Sequence, residues 1–276
     1  MAYILEDEFG DIIQKARSGL GLSIAQVARE TQIPRGQLSK MENYTLKPTE
    51  EQVEKIAAVL GLSAPKLLDI ALERWTPAKW DMNFDSSITV IPLSVTLSSG
   101  YSAYCYLLTC KQTKASAIVD TGGNPDKVIA AVNEHNLKPS LILITHEHSD
   151  HAGGLRKLQV GAQAQVIASA AAALPSEVRE YTKLEDGAEI DLGNQRIKIL
   201  HTPGHTQGSC CYCVSKAAFV GDTIFAGSTG RGGFSYRSLL QSVRDKIFTL
   251  GDDVHLFPGH GPITTVGQEK AHNPFF

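Results

Sequence analysis

The sequence predicts an α+β chain in two parts, an all-α domain followed by a layered domain that mixes strands with helices. Three observations predict it. Apolar residues recur at helical spacing as far as about Ile70. From Ile88 onward they gather instead into short runs rich in β-branched and aromatic residues. Between the two, the segment WTPAKWDMNFD at 75–85 follows neither period. These boundaries give a helical domain at 1–74, a linker at 75–87 and a mixed domain at 88–276.

Five helices are expected in the first part. Residues 7–17 carry Phe9, Ile12, Ile13 and Ala16 on one face. Ser23 caps a second helix at 24–31, with Ile24, Val27 and Ala28 turned inward. Pro34 fits the first turn of a third helix that runs to Asn43. Thr49 caps a fourth at 50–60, built on Val53, Ile56, Ala57 and Leu60 and stopped by Gly61, and Ser63 opens a fifth through Leu67, Leu68 and Leu72. In the second part strands are expected at 88–95, 104–109, 117–120, 141–145, 165–168, 196–200 and 218–221. Helices are expected at 125–136, 153–158 and 238–250, and the alanine-rich 168–173 fits a helix start.

Composition narrows the class. With 42% hydrophobic and 20% charged residues the chain is an ordinary globular one, and its 276 residues bury a substantial core. A net charge of -3 excludes a polyanion binder overall, though not a local basic patch. No apolar run reaches the roughly 18–20 residues that cross a bilayer. The acidic N-terminus is no signal peptide, and five cysteines without scaffold spacing suit a reducing cytoplasm. A cytoplasmic protein without a membrane partner is therefore expected.

The chemistry concentrates at Thr145-His146-Glu147-His148-Ser149-Asp150-His151, directly after the apolar run 141–144. A strand that ends in a loop projects such side chains into one cleft. Imidazole and carboxylate are the usual ligands of Zn²⁺, Mn²⁺ and Fe²⁺. His205, Asp222 and His260 follow strand-like runs in the same way, each just after a glycine. Glycine permits the tight backbone that crowds ligands around an ion.

This constellation resembles the THxHxDH signature of the metallo-β-lactamase superfamily, over about 88–276. The resemblance implies an αββα sandwich with two divalent metal ions at the open edge between its sheets, zinc first, with iron or manganese as alternatives. It implies that His146, His148 and His205 bind one ion, that Asp150, His151 and His260 bind the other, and that Asp222 bridges them. Hydrolysis by metal-activated water would follow, with Asp150 as the catalytic residue that orients the nucleophile. The segments 221–231 and 258–276 look like the glyoxalase II-like group, which hydrolyses thioesters such as S-2-hydroxyacylglutathione. Related persulfide dioxygenases use one iron, whose ligands match His146, His205 and Asp222; lactonase and nuclease chemistry occur in the superfamily too. Arg231 matches a glutathione-holding lysine of that group and suits a carboxylate. Gly233 stands where the group has a tyrosine contact. Tyr236 and Arg237 are further candidates for substrate binding at the cleft rim.

The helical part resembles the Cro/C1-type (XRE) helix-turn-helix family, through 22–28, 33–42 and Lys47-Pro48-Thr49. The resemblance implies DNA as partner, with the third helix in the major groove. Arg35 and Gln37 would face base edges, Lys40 and Lys47 phosphates, and Ser39 is a further outward DNA-binding candidate on the same helix. From Ile12 to Lys47 six basic residues meet two acidic ones, 6 − 2 = +4. Tyr44 stands where the family usually has glycine. A homodimer on two half-sites is expected by analogy. The combined expectation is a metal-dependent hydrolase, most simply a thioesterase, fused to a DNA-binding module. The alternatives are a ligand-sensing transcription factor with little turnover, or a mono-iron persulfide dioxygenase. Buried cysteines are expected to be inert packing residues.

Overall fold

The structure, a computed structural model, describes residues 4–96 and 102–276. Five helices come first, at α1 (Phe9–Gly19), α2 (Ile24–Thr31), α3 (Arg35–Glu42), α4 (Glu50–Leu60) and α5 (Ala64–Ala71). Their starts follow local chemistry. The Ser23 and Thr49 hydroxyls accept from Gln26 and Gln52 N–H, and each Gln side chain answers the cap backbone, two complete capping boxes. The apolar faces read from sequence meet in one core of Phe9, Ile12, Ile13, Val27, Leu38, Val53, Ile56 and Leu67. Tyr44 adopts a left-handed backbone with φ 58°, which explains why glycine is usual at that place.

The rest is four-layered. One sheet runs β1 (Ile88–Thr96), β2 (Ser102–Cys110), β3 (Ser116–Val119), β4 (Pro139–Ile144), β5 (Gln165–Ser169) and β6 (Thr182–Leu184), in that spatial order. The helices α6 (Pro125–Glu134), α7 (Ser149–Ala152) and α8 (Leu155–Ala162) connect its strands. The second sheet holds β7 (Glu189–Leu192), β8 (Gln195–His201), β9 (Cys210–Val214), β10 (Ala217–Gly221), β11 (His255–Pro258) and β12 (Thr264–Thr265), ordered β12-β11-β10-β9-β8-β7. Its outer helices are α9 (Tyr236–Ser242), continued by a π-helical turn at Val243–Ile247, and α10 (Val266–His272).

Strand β4 shows why the apolar runs are continuous. Leu141 and Leu143 enter the core between the sheets, beside Tyr212, Phe219 and Phe257. Ile142 and Ile144 enter the core under α6 and α8, with Val128, Leu155 and Leu158. A strand buried on both faces has no polar alternate. On the far side β9 and β10 send Cys211, Ala218 and Val220 to Val243, Ile247 and Val266.

One expectation needs correction. Residues 170–173 are not helical: β5 runs to Ser169, and Ala172 N–H then closes a turn on the Ser169 carbonyl. The segment between α5 and β1 lacks helix and strand but is packed. Trp75 stacks on His272 at 4.9 Å, and Trp80 and Phe84 lie against Phe257. The C-terminal residues also leave the mixed domain, and Phe275 is buried in the helical core.

Candidate metal centre

The open edge between the sheets collects strand ends. The segment 145–151 follows β4, His205 follows β8, Asp222 follows β10 and His260 follows β11. Gly259 shows how tightly they are drawn together: a Cβ there would lie 2.3 Å from Asp222 Oδ1 and 2.5 Å from His151 Cε1. All seven sequence-predicted ligands meet here. They form three overlapping donor groups, His146/His148/His205, His146/His151/Asp222 and Asp150/His151/His260, each with its donor atoms within 4.8 Å of one another.

The two halves are distinct in atoms. His205 Nε2 is 2.9 Å from His148 Nδ1 and 3.4 Å from Asp222 Oδ2. On the other side His260 Nε2 is 3.3 Å from Asp150 Oδ2 and 3.5 Å from His151 Nε2, which is 3.4 Å from Asp222 Oδ1. Asp222 thus offers one oxygen to each half. Two of these atoms, His146 Nε2 and Asp222 Oδ1, are buried with no hydrogen-bond partner. Orphaned buried donors and acceptors are costly, and cations in both halves would satisfy them. The residues fit two divalent ions.

The remaining ring nitrogens are tied from behind. His151 Nδ1 is 2.8 Å from Asp120 Oδ2, His260 Nδ1 is 2.8 Å from the Ser102 carbonyl, and His205 Nδ1 is 2.8 Å from the Arg231 carbonyl. Thr145 Oγ1 is 3.1 Å from His146 Nδ1 and donates to Asp120 at 2.7 Å. Such ties fix which nitrogen faces an ion. Asp120 was not foreseen. Its signal in the sequence was partial: like Asp222 it is an acid at a strand end followed by threonine, but no glycine precedes it.

Electrostatics favour a cation. Burial opposes charge on both Asp222 and Asp150. Even so, His151, His146 and His260 hold Asp222 well below the usual carboxylate range, and His260 and His151 lower Asp150. Burial, then the neighbouring His151, pushes His146 well below the imidazole range. His205 is lowered chiefly by burial. His151 and His260 go the other way: against burial, Asp222 and Asp120 hold His151 well above the imidazole range, and Asp150 and Asp222 raise His260. A cation there would take the place of a proton, with neutral imidazoles and ionised carboxylates as the ligand forms.

The other predicted residues divide. Arg231 lies at the same edge, exposed, with both terminal nitrogens 3.2 Å from Gln14 Oε1 of α1. Arg237 is exposed on α9. Tyr236 does not fit its expected place at the rim. Its ring packs against the helical core with Phe275 and covers Gly19, so apolar burial has drawn it to the domain junction. His201 stays outside the cluster, 2.9 Å from the Leu184 carbonyl. Cys105, Cys210, Cys211 and Cys213 have their thiols raised by burial, Cys211 to about 11, which suits inert packing.

On α3, Arg35, Gln37 and Lys40 are exposed and Ser39 is half-buried. Gln37 accepts from Gln52 at 3.0 Å, and Lys47 pairs with Glu73 at 2.9 Å. The local +4 shrinks at the surface. Lys15 is buried against Asp7, and Arg17 forks onto Glu42 at 2.6 and 2.8 Å.

Residues 99–260 match the family model of the Metallo-beta-lactamase superfamily, over more than half of the chain. This chain belongs to that superfamily. Residues 13–67 match a Helix-turn-helix model. Hydroxyacylglutathione hydrolase GloC of Haemophilus influenzae is 31% identical over 212 residues, 68% of this chain and 97% of that protein. The probable polyketide biosynthesis zinc-dependent hydrolase BaeB of Bacillus velezensis is 32% identical, over 61% of this chain and 77% of its own length. Among solved structures, ETHE1 from Myxococcus xanthus superposes with a TM-score of 0.59 at 29% identity, over 67% of this chain and 83% of its own. TTHA1623 in a di-iron-bound form gives 0.58 at 29% identity, over 67% of this chain and all of its own. The chain is thus a metallo-β-lactamase-fold protein of the glyoxalase II-like branch with an N-terminal helix-turn-helix. Among the described residues no helix is long and apolar enough to cross a membrane.

Proposed function

We propose that the chain is a two-metal thioester hydrolase tethered to a DNA-binding module. The observation that carries this is the pair of donor sets sharing Asp222, each compact and held from behind. His146, His148, His205 and Asp222 Oδ2 would hold one ion; Asp150, His151, His260 and Asp222 Oδ1 would hold the other. Two such ions polarise an acyl carbonyl and bring the pKa of water toward neutrality. Asp150 is the least buried carboxylate of the cluster, its side chain 24% exposed against 10% for Asp222. It would orient the attacking water and take up its proton. Arg231 would hold an anionic end of the substrate with its planar fork.

The likeness to a hydroxyacylglutathione hydrolase supports a thioester, and the zinc-dependent relative supports zinc ahead of iron. A mono-iron persulfide dioxygenase would need only His146, His205 and Asp222, and the intact second set favours the hydrolase. DNA binding is proposed through Arg35, Gln37, Ser39 and Lys40, with the chain acting as a dimer. The test is zinc-loaded protein on a panel of thioesters, beginning with S-lactoylglutathione. Turnover is expected, and His148→Ala is expected to abolish it while leaving DNA affinity unchanged. No turnover of any thioester by protein carrying two ions would refute the reading, and would leave a ligand-sensing regulator.

A further inference from the structure

The helical domain touches the loop that leaves the metal centre, through α1 and the turn before it. The loop 222–231 leaves the shared ligand Asp222 and ends at Arg231, whose carbonyl lies 2.8 Å from His205 Nδ1. Helix α1 and the turn before it grip this loop at three places. Lys15 Nζ donates to the Thr229 carbonyl at 2.7 Å. Ser228 Oγ donates to Asp7 at 2.5 Å. Arg231 donates through both terminal nitrogens to Gln14 Oε1, each at 3.2 Å. Lys15 also lies over the Phe225 ring at 4.9 Å, and that ring meets His260 at 5.7 Å.

We infer that Gln14 of the helix-turn-helix is the positioning residue for Arg231, so that the DNA-binding domain helps set the charge preference of the metal cleft. This rests on the proposal that the cleft holds metal and that Arg231 meets an anionic group. The chemistry of Gln14 suits the task. Among the described residues no carboxylate pairs with Arg231. A neutral amide oxygen fixes the guanidinium without cancelling its charge. One oxygen occupies one N–H of each terminal nitrogen, and the remaining donors stay free for a carboxylate. Gln14 is half-buried on α1 between the buried residues Ile13 and Lys15, so its own position is set by the packed helix. An exposed arginine without such a tether must be ordered when the anion binds, which costs affinity for anionic ligands alone.

The test reads binding and does not need turnover. Zinc-loaded full chain is titrated calorimetrically with mercaptocarboxylates of two to six carbons, and with mercaptoalcohols of matched length. Wild type is expected to prefer the acid at one or more lengths. Gln14→Ala should cut that preference roughly 3- to 10-fold, the cost of leaving one long side chain unordered, and leave the affinity for the alcohols unchanged. Gln14→Glu should abolish the preference, because a carboxylate there neutralises the fork. If Arg231→Ala removes the preference while both Gln14 variants keep it, the inference about Gln14 is overturned and Arg231 stands. If wild type shows no preference, the anion role of Arg231 falls and the inference with it. If elemental analysis shows that the chain retains no zinc after loading, the metal reading itself has failed.

Discussion

Replacing Lys15 by Met should loosen the junction between the domains, and the size of the effect follows from burial. The Lys15 and Asp7 side chains are 6% and 7% exposed. Lys15 donates to Asp7 and to the Thr229 carbonyl, and Asp7 also accepts from Ser228. Lys15→Met leaves the Asp7 carboxylate buried with a hydroxyl as its remaining side-chain partner. Breaking a buried pair from one side costs about 3–5 kcal/mol. At about 2–4 °C per kcal/mol for a chain of this size, the melting temperature should fall by about 6–20 °C. Removing both charges, as in Asp7→Asn with Lys15→Met, should restore most of the loss, because the uncompensated charge is what costs. Calorimetry gives the stability. Fluorescence gives the location, since the chain's two tryptophans, Trp75 and Trp80, both lie in the segment that joins the domains. The reasoning is refuted if the single variant loses less than about 1 kcal/mol, or if the double variant is no more stable than the single.

Four further outcomes are expected. Asp120→Ala should weaken metal affinity about 10- to 100-fold by releasing His151, measured by competition with a chromophoric chelator; unchanged affinity would deny Asp120 its orienting role. Gly259→Ala should lower metal occupancy at normal helical content, because its methyl would displace Asp222 and His151; full occupancy by elemental analysis would contradict this. Lys40→Ala should weaken DNA binding evenly across sequences and reduce the salt slope by about one, whereas an unchanged slope would remove Lys40 from the phosphate contacts. Glu269 is fully buried, and burial raises its carboxyl to about 7 despite hydrogen bonds from Asn273, Thr264 and Gly227. Its folded pKa lies above the model-peptide 4.5, so its contribution is present at low pH and lost as pH rises toward about 7, by about 1.4 kcal/mol per unit within that window. Glu269→Gln, which can keep these partners, should flatten that part of the stability–pH curve; an unchanged slope would contradict the assignment.

The proposed metal-ligand cluster was legible because its chemistry is local. Each of its parts follows a strand, so a linear pattern of apolar run, turn and ligand was enough, and the same holds for the capped helices of the first domain. The misses arise where the determinant is distant in sequence. Strand β6 (Thr182–Leu184) is three residues long and pairs with β5 in parallel, which local alternation does not announce. Tyr236 read as a rim residue because it follows the Arg231 loop, yet Gly19 and Phe275 claim its ring from the opposite domain. Lys15 counted toward a basic surface, but the partner that buries it lies eight residues away on the preceding turn. The contact between Gln14 and Arg231 spans 217 positions and had no signal in the sequence.

The most direct test is elemental analysis of protein purified without added metal, combined with S-lactoylglutathione hydrolysis on the same sample. Two donor sets sharing Asp222 predict two ions per chain, with turnover lost on chelation and restored by zinc. One iron per chain without thioester turnover would contradict the two-metal hydrolase.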